Sequence, residues 1–453
     1  MQHRRNSRSF TVALFAIVLF GAATNALARG WHLRVVASLC QDDYCGGGGA
    51  EPGPLSVDSA GNLFGAMTSG GLRGSGEVFE LVKESGRNKR TFRVIYDFCA
   101  LNGCMDGAGP QQTGLVEDVA GNIYGIASSG GAAGGGTLFK LTPNKNGKHW
   151  NLTVLYNFCS KNSACTDGGQ PHGVLTYQGA SQGQLYDGVS PIYGTAYYGS
   201  HGKGVVFSLM PKQSRAGGWG EKVLYAFCGK AGGTDCNEGE NPYGVTLDSM
   251  GNLIGVAGGG SGKAGILFKL SPVVGERKWT ETLLYTFCSL ENCADGSEPL
   301  GAPVVDQAGN IFGLTYAGGT TQCFNGGVGS CGVLYELTPD GTETVLYNFC
   351  SLKDCKDGAE PQGTLIADAS GNLYGTTIAG GGHDNDFNAF GGGTVFRFSG
   401  GSLETLHAFC SEVNCPDGEY PYPGVVLDSF GNLFGTTEAG GPNQSGEVFE
   451  LTP

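Results

Sequence analysis

Short runs in which apolar and polar residues alternate, separated by glycine-rich turns, recur along the chain about every 60 residues. In the sixth copy the alternation and the turn residues predict four strands, at 361–368, 372–377, 393–398 and 403–410. No stretch of similar length has the 3.6-residue period of an amphipathic helix. Each copy therefore predicts a small four-stranded antiparallel sheet.

Two independent markers count the copies. A Gly-Asn dipeptide recurs at Asn62, Asn122, Asn252, Asn310, Asn372 and Asn432, with a degenerate copy at 190–194. A glycine that opens a GxVF or GxLY stretch recurs at Gly76, Gly136, Gly204, Gly265, Gly332, Gly393 and Gly446. Long repeats built of short strands are typical of propeller blades. The pattern predicts an all-β fold, a seven-bladed β-propeller with four antiparallel strands per blade.

The two ends of the chain predict how this ring closes. An isolated strand at 32–40 matches the fourth strand of a repeat, whereas the chain stops at GEVFELTP, after the third strand of the last one. Pairing of the two would complete the last blade and leave no long sheet edge exposed. We therefore expect one propeller domain of seven repeats over residues 29–453.

The turn between the first two strands of each repeat has the form DxxGN. Glycine supplies the positive φ of such a turn, and the Asp carboxylate can accept hydrogen bonds from the turn amides. We interpret these residues as turn caps rather than ligands, since they lack the spacing of a calcium loop. They are Asp58, Asp118, Asp248, Asp306, Asp368 and Asp428. The third repeat has instead an insertion from Tyr177 to Pro191, which is either a partner contact or a tolerated variation.

The string FCSLKDCKDGAEPQGTLIADASGNLYGTTIAGG and its companions around Cys99, Cys159, Cys288 and Cys410 resemble the GloVer-type (Gloeo/Verruco) tandem-repeat family of secreted bacterial proteins. The resemblance extends from Trp31 to Pro453. The shorter pattern PxGxxxDxxGNxY is similar to NHL-type β-propeller repeats. The first family is known by its pattern and implies no activity; the second agrees with the predicted strand order.

Residues 1–28 have the form of a secretory signal peptide. A basic start is followed by an apolar stretch from Phe10 to about Phe20 and by small residues at Ala26 and Ala28. A membrane anchor is the alternative, but the apolar run is shorter than the roughly 20 residues that a span needs. We expect cleavage, secretion to the periplasm or the exterior, and no membrane span in the mature protein.

Cleavage would remove Arg4, Arg5 and Arg8 and leave 24 basic against 41 acidic residues, a net charge of −17. Such a surface repels phosphate backbones and anionic lipids, so nucleic acid is not an expected partner. Glycine accounts for 82 of the 453 residues, which suits short strands joined by tight turns.

The sixteen cysteines fall into close pairs, one after each fourth strand and one in a long loop of the fifth repeat. Both members of a pair belong to one small loop, so local disulfides are favoured over cross-links or metal sites. The predicted pairs are Cys40/Cys45, Cys99/Cys104, Cys159/Cys165, Cys228/Cys236, Cys288/Cys293, Cys323/Cys331, Cys350/Cys355 and Cys410/Cys415.

Candidate ligand contacts come from two features on the disulfide-loop face. One is the position that follows the Pro of a Pro-x-Gly motif at the head of the first strand, with Gln111 aligned despite an imperfect motif. It is occupied by Gln111, His172, Tyr243, Leu300, Gln362 and Tyr422 and, in the first repeat, only by Gly53. The other is a pair of long glycine-rich loops in adjacent repeats, which carry Phe324, His383, Asp384, Asp386, Phe387 and Phe390. Polar and aromatic groups around a channel could bind a sugar. The alternatives are plain channel lining and solvated insertions without a function.

No catalytic motif stands out. HExxH, GxSxG and phosphate-binding loops are absent from the sequence, and the histidines are scattered over different repeats. The sequence therefore favours a secreted, monomeric, non-catalytic binding or scaffold protein for a glycan or an envelope protein, with no cofactor. The alternative is a secreted hydrolase or lyase that uses His172 and His383 with Asp384 or Asp386 at the channel mouth.

Overall fold

The computed structural model describes residues 30–39, 51–84, 86, 89–110, 114–199, 202–212, 218–229, 236–262, 264–276, 278–323, 327–328, 331–382 and 391–453. Residues 1–28 lie outside this part of the chain, so the signal peptide stays a prediction. Trp31–Pro453 forms one compact unit.

The described chain folds into thirty short strands joined by turns and loops. They are β1 His32–Ser38, β2 Ser56–Val57, β3 Leu63–Met67, β4 Glu77–Lys83, β5 Arg90–Asp97, β6 Val116–Glu117, β7 Ile123–Ala127, β8 Thr137–Pro143, β9 Trp150–Asn157, β10 Gly169–Tyr177, β11 Ile192–Tyr198, β12 Val205–Pro211, β13 Trp219–Ala226, β14 Glu240–Leu247, β15 Leu253–Gly258, β16 Ile266–Pro272, β17 Trp279–Thr286, β18 Ser297–Val305, β19 Ile311–Ala317, β20 Gln322–Cys323, β21 Gly327–Val328, β22 Val333–Leu337, β23 Glu343–Asn348, β24 Ala359–Ala367, β25 Leu373–Ala379, β26 Thr394–Ser399, β27 Ser402–Ala408, β28 Val425–Leu427, β29 Leu433–Thr436 and β30 Glu447–Thr452.

These strands form seven four-stranded antiparallel sheets, as predicted, and β20 and β21 form a separate small hairpin. Blades one to six take their four strands in chain order, from β2–β5 to β24–β27. In blade six, the observed strands agree with the predicted ones to within two residues at every end. The described helical segments are single 3-10 turns, Asn102–Cys104, Ala180–Gln182, Glu291–Cys293 and Lys353–Cys355. No helix in this part of the chain is long and apolar enough to cross a membrane.

The seventh blade combines the two ends of the chain. Strand β1 pairs antiparallel with β30, the last strand, to complete the sheet β1-β30-β29-β28. Arg34 forms an ion pair with Glu450 across this junction, and the Leu39 amide donates to the Gly446 carbonyl at 3.0 Å. The predicted closure is confirmed, since the first and last strands of the described chain pair with each other.

Seven apolar cores lie between neighbouring blades and hold the ring together. In six of them, the Phe that precedes the first Cys of a disulfide loop packs against the aromatic residue of the next blade's GxVF or GxLY stretch, with ring centres 5.0–5.2 Å apart. Leu39 takes the place of this Phe against Phe79 where the last blade meets the first. The recurrent aromatic pair is thus the joint between blades.

The DxxGN aspartates are turn caps, as interpreted. In each of the six turns the carboxylate accepts from the backbone N–H and the side-chain amide of the Asn four residues later, at 2.7–2.9 Å.

The insertion that replaces this turn in blade three packs on blade two. Its Tyr186 is fully buried, meets the Tyr124 ring edge to face at 5.3 Å, and exchanges backbone hydrogen bonds with Glu117 and Val119. The insertion therefore links blade three to blade two through contacts within the protein.

Seven of the eight predicted disulfides are present, each within a single loop, and the eighth pair, Cys40 and Cys45, lies outside the described residues. The bridges that the structure contains are Cys99–Cys104, Cys159–Cys165, Cys228–Cys236, Cys288–Cys293, Cys323–Cys331, Cys350–Cys355 and Cys410–Cys415. Local pairing is therefore confirmed for every described cysteine.

The loop that Cys165 closes differs in conformation from the loops that follow blades one, four and five. In those three loops the paired cysteines are five residues apart and the second one ends a 3-10 turn. Cys165 is six residues from Cys159 and lies outside any such turn. The Asn162 side chain closes this longer loop, since its Oδ1 accepts from the Thr166 amide at 3.2 Å and its Nδ2 donates to the Thr166 hydroxyl at 2.9 Å. The cysteine spacing thus predicted the pairing of Cys165 but not the shape of its loop.

In five of the disulfide loops, an Asp two residues after the second Cys accepts hydrogen bonds from the loop and the strand before it. Asp357, which is 1% exposed, accepts from the Tyr347 hydroxyl at 2.8 Å and from the Ser351 and Leu352 amides. In the last loop, His407 takes the place of the Tyr and contacts Asp417 through Nε2 at 2.8 Å. The residues equivalent to Asp357 are Asp106, Asp167, Asp295 and Asp417.

Candidate functional site

One cavity at the ring centre gathers the side chains that follow the Pro of the motif. His172, Tyr243, Leu300, Gln362 and Tyr422 all line it, together with Pro54 of the first repeat. All but Tyr422 and Pro54 lie on the first strand of their blade, and Tyr422 lies three residues before β28. The cavity has a volume of about 90 Å³. The structure thus brings these predicted residues together, and Gln111 lies outside the described residues.

Backbone contacts between neighbouring first strands narrow the channel at the base of the cavity. The glycine of the Pro-x-Gly motif has a positive φ, +77° at Gly301 and +89° at Gly363. A Cβ atom on Gly301 would lie 2.4 Å from the Gly363 carbonyl oxygen, and one on Gly363 would lie 2.6 Å from the Gly424 nitrogen. Only glycine fits both requirements. These glycines therefore allow the backbones of neighbouring first strands to lie in contact. The side chains next to them then line the same cavity.

Gln362 and Tyr422 form a direct link across the cavity wall. The Gln362 Nε2 donates to the Tyr422 hydroxyl at 3.0 Å. The Gln362 Oε1 is buried and has no hydrogen-bond partner among the described residues. A buried amide oxygen without a donor is unfavourable by about 1–3 kcal/mol, which a bound donor would recover.

His172 stands between two tyrosines on the other side of the cavity. Its ring meets those of Tyr197 and Tyr243 edge to face, at 5.9 and 6.0 Å. Burial lowers the pKa of His172, and the carbonyl groups of Gln170 and Pro242 oppose this effect in part. The ring is therefore neutral at pH 7. Nδ1 faces the Gln170 carbonyl at 3.3 Å, so the tautomer that carries its proton on Nδ1 donates there and leaves Nε2 as an acceptor. Nε2 is buried and forms no hydrogen bond to any described residue.

The sequence reasoning missed a cluster of carboxylates and phenols that interacts electrostatically with the cavity-lining residues Tyr243 and Tyr422, and we call this cluster the mouth of the cavity. Tyr316 donates to Glu360 at 2.9 Å, and burial, followed by this hydrogen bond, raises the pKa of Tyr316 to about 12. Burial raises the pKa of Glu360 as well. Burial and the charge of Glu51 raise the pKa of Glu438. The charge of Glu298 acts on both Tyr243 and Tyr316, so it belongs to the same cluster.

The residue before the Pro of the motif has an unusual backbone conformation. In six repeats it is a residue other than glycine with a left-handed φ of 40–58°. These residues are Glu51, Gln170, Asn241, Glu298, Glu360 and Tyr420. A left-handed φ costs a non-glycine residue about 1–2 kcal/mol. The second repeat has Gly109 in this position, so glycine is compatible with the turn. Polar and charged side chains are thus retained at the mouth at a cost in backbone energy.

The two long loops belong to adjacent blades, as predicted, and their candidate side chains lie outside the described residues. These are Phe324, His383, Asp384, Asp386, Phe387 and Phe390. The bases of both loops flank one disulfide loop, since Cys323 lies against Cys350 and Cys355, and a Cβ atom on Gly380 would touch the Cys355 carbonyl oxygen at 2.6 Å. The proposed catalytic set of His172 with His383 stays a prediction. Among the described residues, no carboxylate hydrogen-bonds to His172.

Comparison with solved structures finds distant similarities. A sialidase from Trypanosoma rangeli has 10% sequence identity and a TM-score of 0.40 over 82% of this chain, which spans 57% of the sialidase. A PQQ-bound aldose sugar dehydrogenase from Streptomyces coelicolor has 11% identity and a TM-score of 0.39, with 93% and 98% of the two chains covered. A Dyadobacter fermentans protein of unknown function has 12% identity and a TM-score of 0.40, with 93% and 99% covered. With TM-scores below 0.5, none of them bears on the function of this chain.

Sequence comparison is more informative. No curated protein matches this chain. The sequence profile of the Gloeobacter/Verrucomicrobia repeat matches it three times in overlapping windows, at residues 34–236, 182–385 and 241–453. Together these windows include all seven blades. The chain therefore belongs to the Gloeobacter/Verrucomicrobia repeat family.

Proposed function

We propose that this protein is a secreted, non-catalytic binding protein whose central cavity holds the terminal sugar unit of an extracellular or envelope glycan. The observation that carries the proposal is the convergence of His172, Tyr243, Gln362 and Tyr422 on one cavity. The same backbone position holds five residue types over the seven repeats, so packing of the repeat does not dictate the choice.

The chemistry of the cavity supports a ligand rich in hydroxyl donors. Gln362 Oε1 and His172 Nε2 are both buried acceptors without a hydrogen-bond partner among the described residues. The tyrosine rings add the aromatic surface on which sugar C–H groups pack. The carboxylates of Glu298 and Glu360 at the mouth disfavour an anionic ligand. A neutral or cationic sugar fits this combination best.

The size of the cavity supports recognition of one terminal unit. Pockets for drug-sized ligands have volumes of about 300–1,000 Å³. The cavity here, at about 90 Å³, admits only the end of a longer molecule. The remainder of the glycan would lie on the face that carries the disulfide loops.

Export agrees with the seven disulfides, which form and persist in oxidising compartments. We propose that the signal peptide is cleaved after Ala28 and that the mature protein acts as a monomer outside the cytoplasm. Amino-terminal sequencing and light scattering of the exported protein test these two statements. An intact amino terminus on the exported chain would contradict the first, and a stable dimer would contradict the second.

The binding proposal is tested on a glycan array with the mature, oxidised protein. Gln362→Ala and Tyr243→Ala should each weaken the strongest glycan signal at least tenfold, whereas Phe430→Ser should leave it unchanged. Phe430 is 77% exposed in the GN turn of blade seven, so its replacement is a matched surface control. Binding that survives both cavity substitutions would place the site elsewhere, and the absence of any glycan signal for the wild-type protein would refute the ligand class.

A further inference from the structure

The Cys323–Cys331 pair departs from the repeat in a chemically significant place. Six described disulfides close the loop that follows a fourth strand, but Cys323–Cys331 lies in the loop between β19 and β22. Cys331 stands directly before Gly332, at a position that is glycine in blades two and six. The equivalence is established by one hydrogen bond. In all three blades, the backbone carbonyl at this position accepts a hydrogen bond at 2.9 Å from the left-handed residue before the Pro of the next blade. The accepting carbonyls are those of Gly135, Cys331 and Gly392.

This position faces the neighbouring disulfide loop. A Cβ atom on Gly135 would lie 2.5 Å from Cys159 Sγ, and one on Gly392 would lie 2.5 Å from Cys410 Cβ. A cysteine at this position therefore places its own disulfide, Cys323–Cys331, in contact with the disulfide of the neighbouring loop, Cys350–Cys355. In blade five the Sγ atoms of Cys323, Cys350 and Cys355 all lie within 4.8 Å of one another. No other cluster of this kind in the described part of the chain brings together cysteines of two different bridges.

The four cysteines differ in their access to solvent. Cys323, Cys331 and Cys355 are buried, at 3%, 0% and 7% exposure, whereas Cys350 is only partly buried. An external thiolate can therefore reach Cys350 more readily than the other three sulfurs. Disulfide exchange requires a thiolate in contact with a disulfide sulfur and depends on such access.

We propose that Cys323, Cys331, Cys350 and Cys355 form a thiol–disulfide exchange site that reacts with external thiols. A thiolate attacks Cys350 Sγ, the bond to Cys355 breaks, and its electron pair leaves as the Cys355 thiolate. That thiolate attacks Cys323 Sγ, forms a Cys323–Cys355 bridge and displaces the Cys331 thiolate. A second external thiol releases Cys350 from its mixed disulfide. Two external thiols are thereby oxidised to one disulfide, and the protein holds one rearranged bridge and two thiols.

The exchange would transfer the anchor of the long loop in blade five. In the starting state Cys323 is tied to Cys331 within its own loop, and in the product it is tied to the disulfide loop that precedes blade six. The two long loops flank this same disulfide loop. The exchange therefore changes the tether of a loop on the face that carries the cavity mouth, and it does so independently of whether the cavity binds a glycan.

Limited reduction with glutathione, followed by alkylation and peptide mapping, tests the exchange. Cleavage after Lys and Glu separates Cys350 and Cys355 from each other and from the peptide that carries Cys323 and Cys331. Before treatment the Cys350 peptide should be joined to the Cys355 peptide. After treatment the Cys355 peptide should be joined to the Cys323 peptide, and Cys350 should carry the alkylating label. Loss of both bridges without any such cross-link would overturn the proposal.

The variant Cys331→Ser provides a test without reductant. It leaves Cys323 as a thiol against the Cys350–Cys355 bridge, so the label should appear on Cys350 or Cys355 and not on Cys323. The matched control is Cys104→Ser, in which no described disulfide lies beside Cys99 and the label should stay on Cys99. Labelling of Cys323 with an intact Cys350–Cys355 bridge would refute the proposal. If Cys331→Ser does not fold, the wild-type experiment decides alone.

Discussion

On the face of the ring that carries the GN turns, six turns share one arrangement, in which an Asp carboxylate accepts from the backbone and the side chain of the same Asn. On the opposite face, one backbone position holds histidine, tyrosine, leucine or glutamine around the cavity. The turn needs its side chains because they satisfy the backbone. The cavity position has its backbone fixed by the flanking Pro and Gly, which leaves the side chain free to vary. Constant side chains mark structure on one face, and variable side chains on a constant backbone mark the candidate site on the other.

The largest expected effect that separates the two faces is that of disulfide reduction. Each described bridge closes a loop with a sequence separation of 5–8 and lies on the cavity face. Each is worth about 2 kcal/mol by the chain-entropy argument. We expect full reduction to lower the melting temperature, followed by circular dichroism, by at least about 10 °C. Hydrogen exchange should also rise more in the disulfide loops than in the GN turns. An unchanged melt with all sixteen thiols titrated as free would contradict this.

A smaller effect is expected from removing one Asp from each face. Asp357 is almost fully buried and accepts three hydrogen bonds beneath a disulfide, so Asp357→Ala should cost about 2–4 kcal/mol in the free energy of unfolding. Asp368 caps a partly exposed turn, and Asp368→Ala should cost about 1 kcal/mol. Urea denaturation of both variants gives the comparison. Equal costs would contradict the expectation that the buried carboxylate beneath the disulfide contributes more to stability than the turn cap.

Sequence reasoning recovered most of the ring and only part of the site. The strands of blade six follow from alternation, and the pairing of β1 with β30 follows from counting strands. The meeting of His172 with Tyr243 follows from the same counting, since equivalent positions in a closed ring converge on its centre. The pair Tyr316 and Glu360 could not be found this way, because it joins two blades through contacts that depend on how the blades pack. The left-handed φ of Glu298 and Glu360 could not be predicted either, because a positive φ is common for glycine but rare for glutamate.

The two faces should also respond to pH in opposite directions. Burial raises the pKa of Glu447, at the cavity-face end of β30, to about 7, and a hydrogen bond with Ser38 opposes this. The folded state therefore retains a proton that the unfolded chain releases near pH 4.5, and stability is lost as the pH rises from there through about 7. We expect Glu447→Gln to melt a few degrees above the wild-type protein at pH 8 and at the same temperature at pH 4.5.

Asp368 on the GN face provides the counterpart. Burial raises its pKa, but hydrogen bonds from Asn372 and Ser370 outweigh this and lower it below the usual 3.8. Its contribution is present above that pH and is lost as the pH falls through the lowered pKa. Asp368→Asn should therefore melt below the wild-type protein at pH 7, with a difference that shrinks below about pH 3.8. Parallel shifts of both variants across the whole range would contradict the opposition of the two faces.

The smallest expected effect concerns a single hydroxyl on each face. Tyr422→Phe removes the acceptor of Gln362 Nε2 in the cavity and releases the amide from its fixed orientation. Tyr374→Phe removes a hydroxyl that donates to Asp368 at 3.1 Å in a GN turn. Because one neutral hydrogen bond is worth about 0.5–1.5 kcal/mol, Tyr422→Phe should weaken binding of the array-identified glycan about two- to tenfold in titration calorimetry. Tyr374→Phe should leave that affinity unchanged while lowering stability by a similar free energy. Equal losses of affinity in the two variants would contradict a binding site on the cavity face. They would mean that losing a hydroxyl on either face weakens binding only by destabilising the ring.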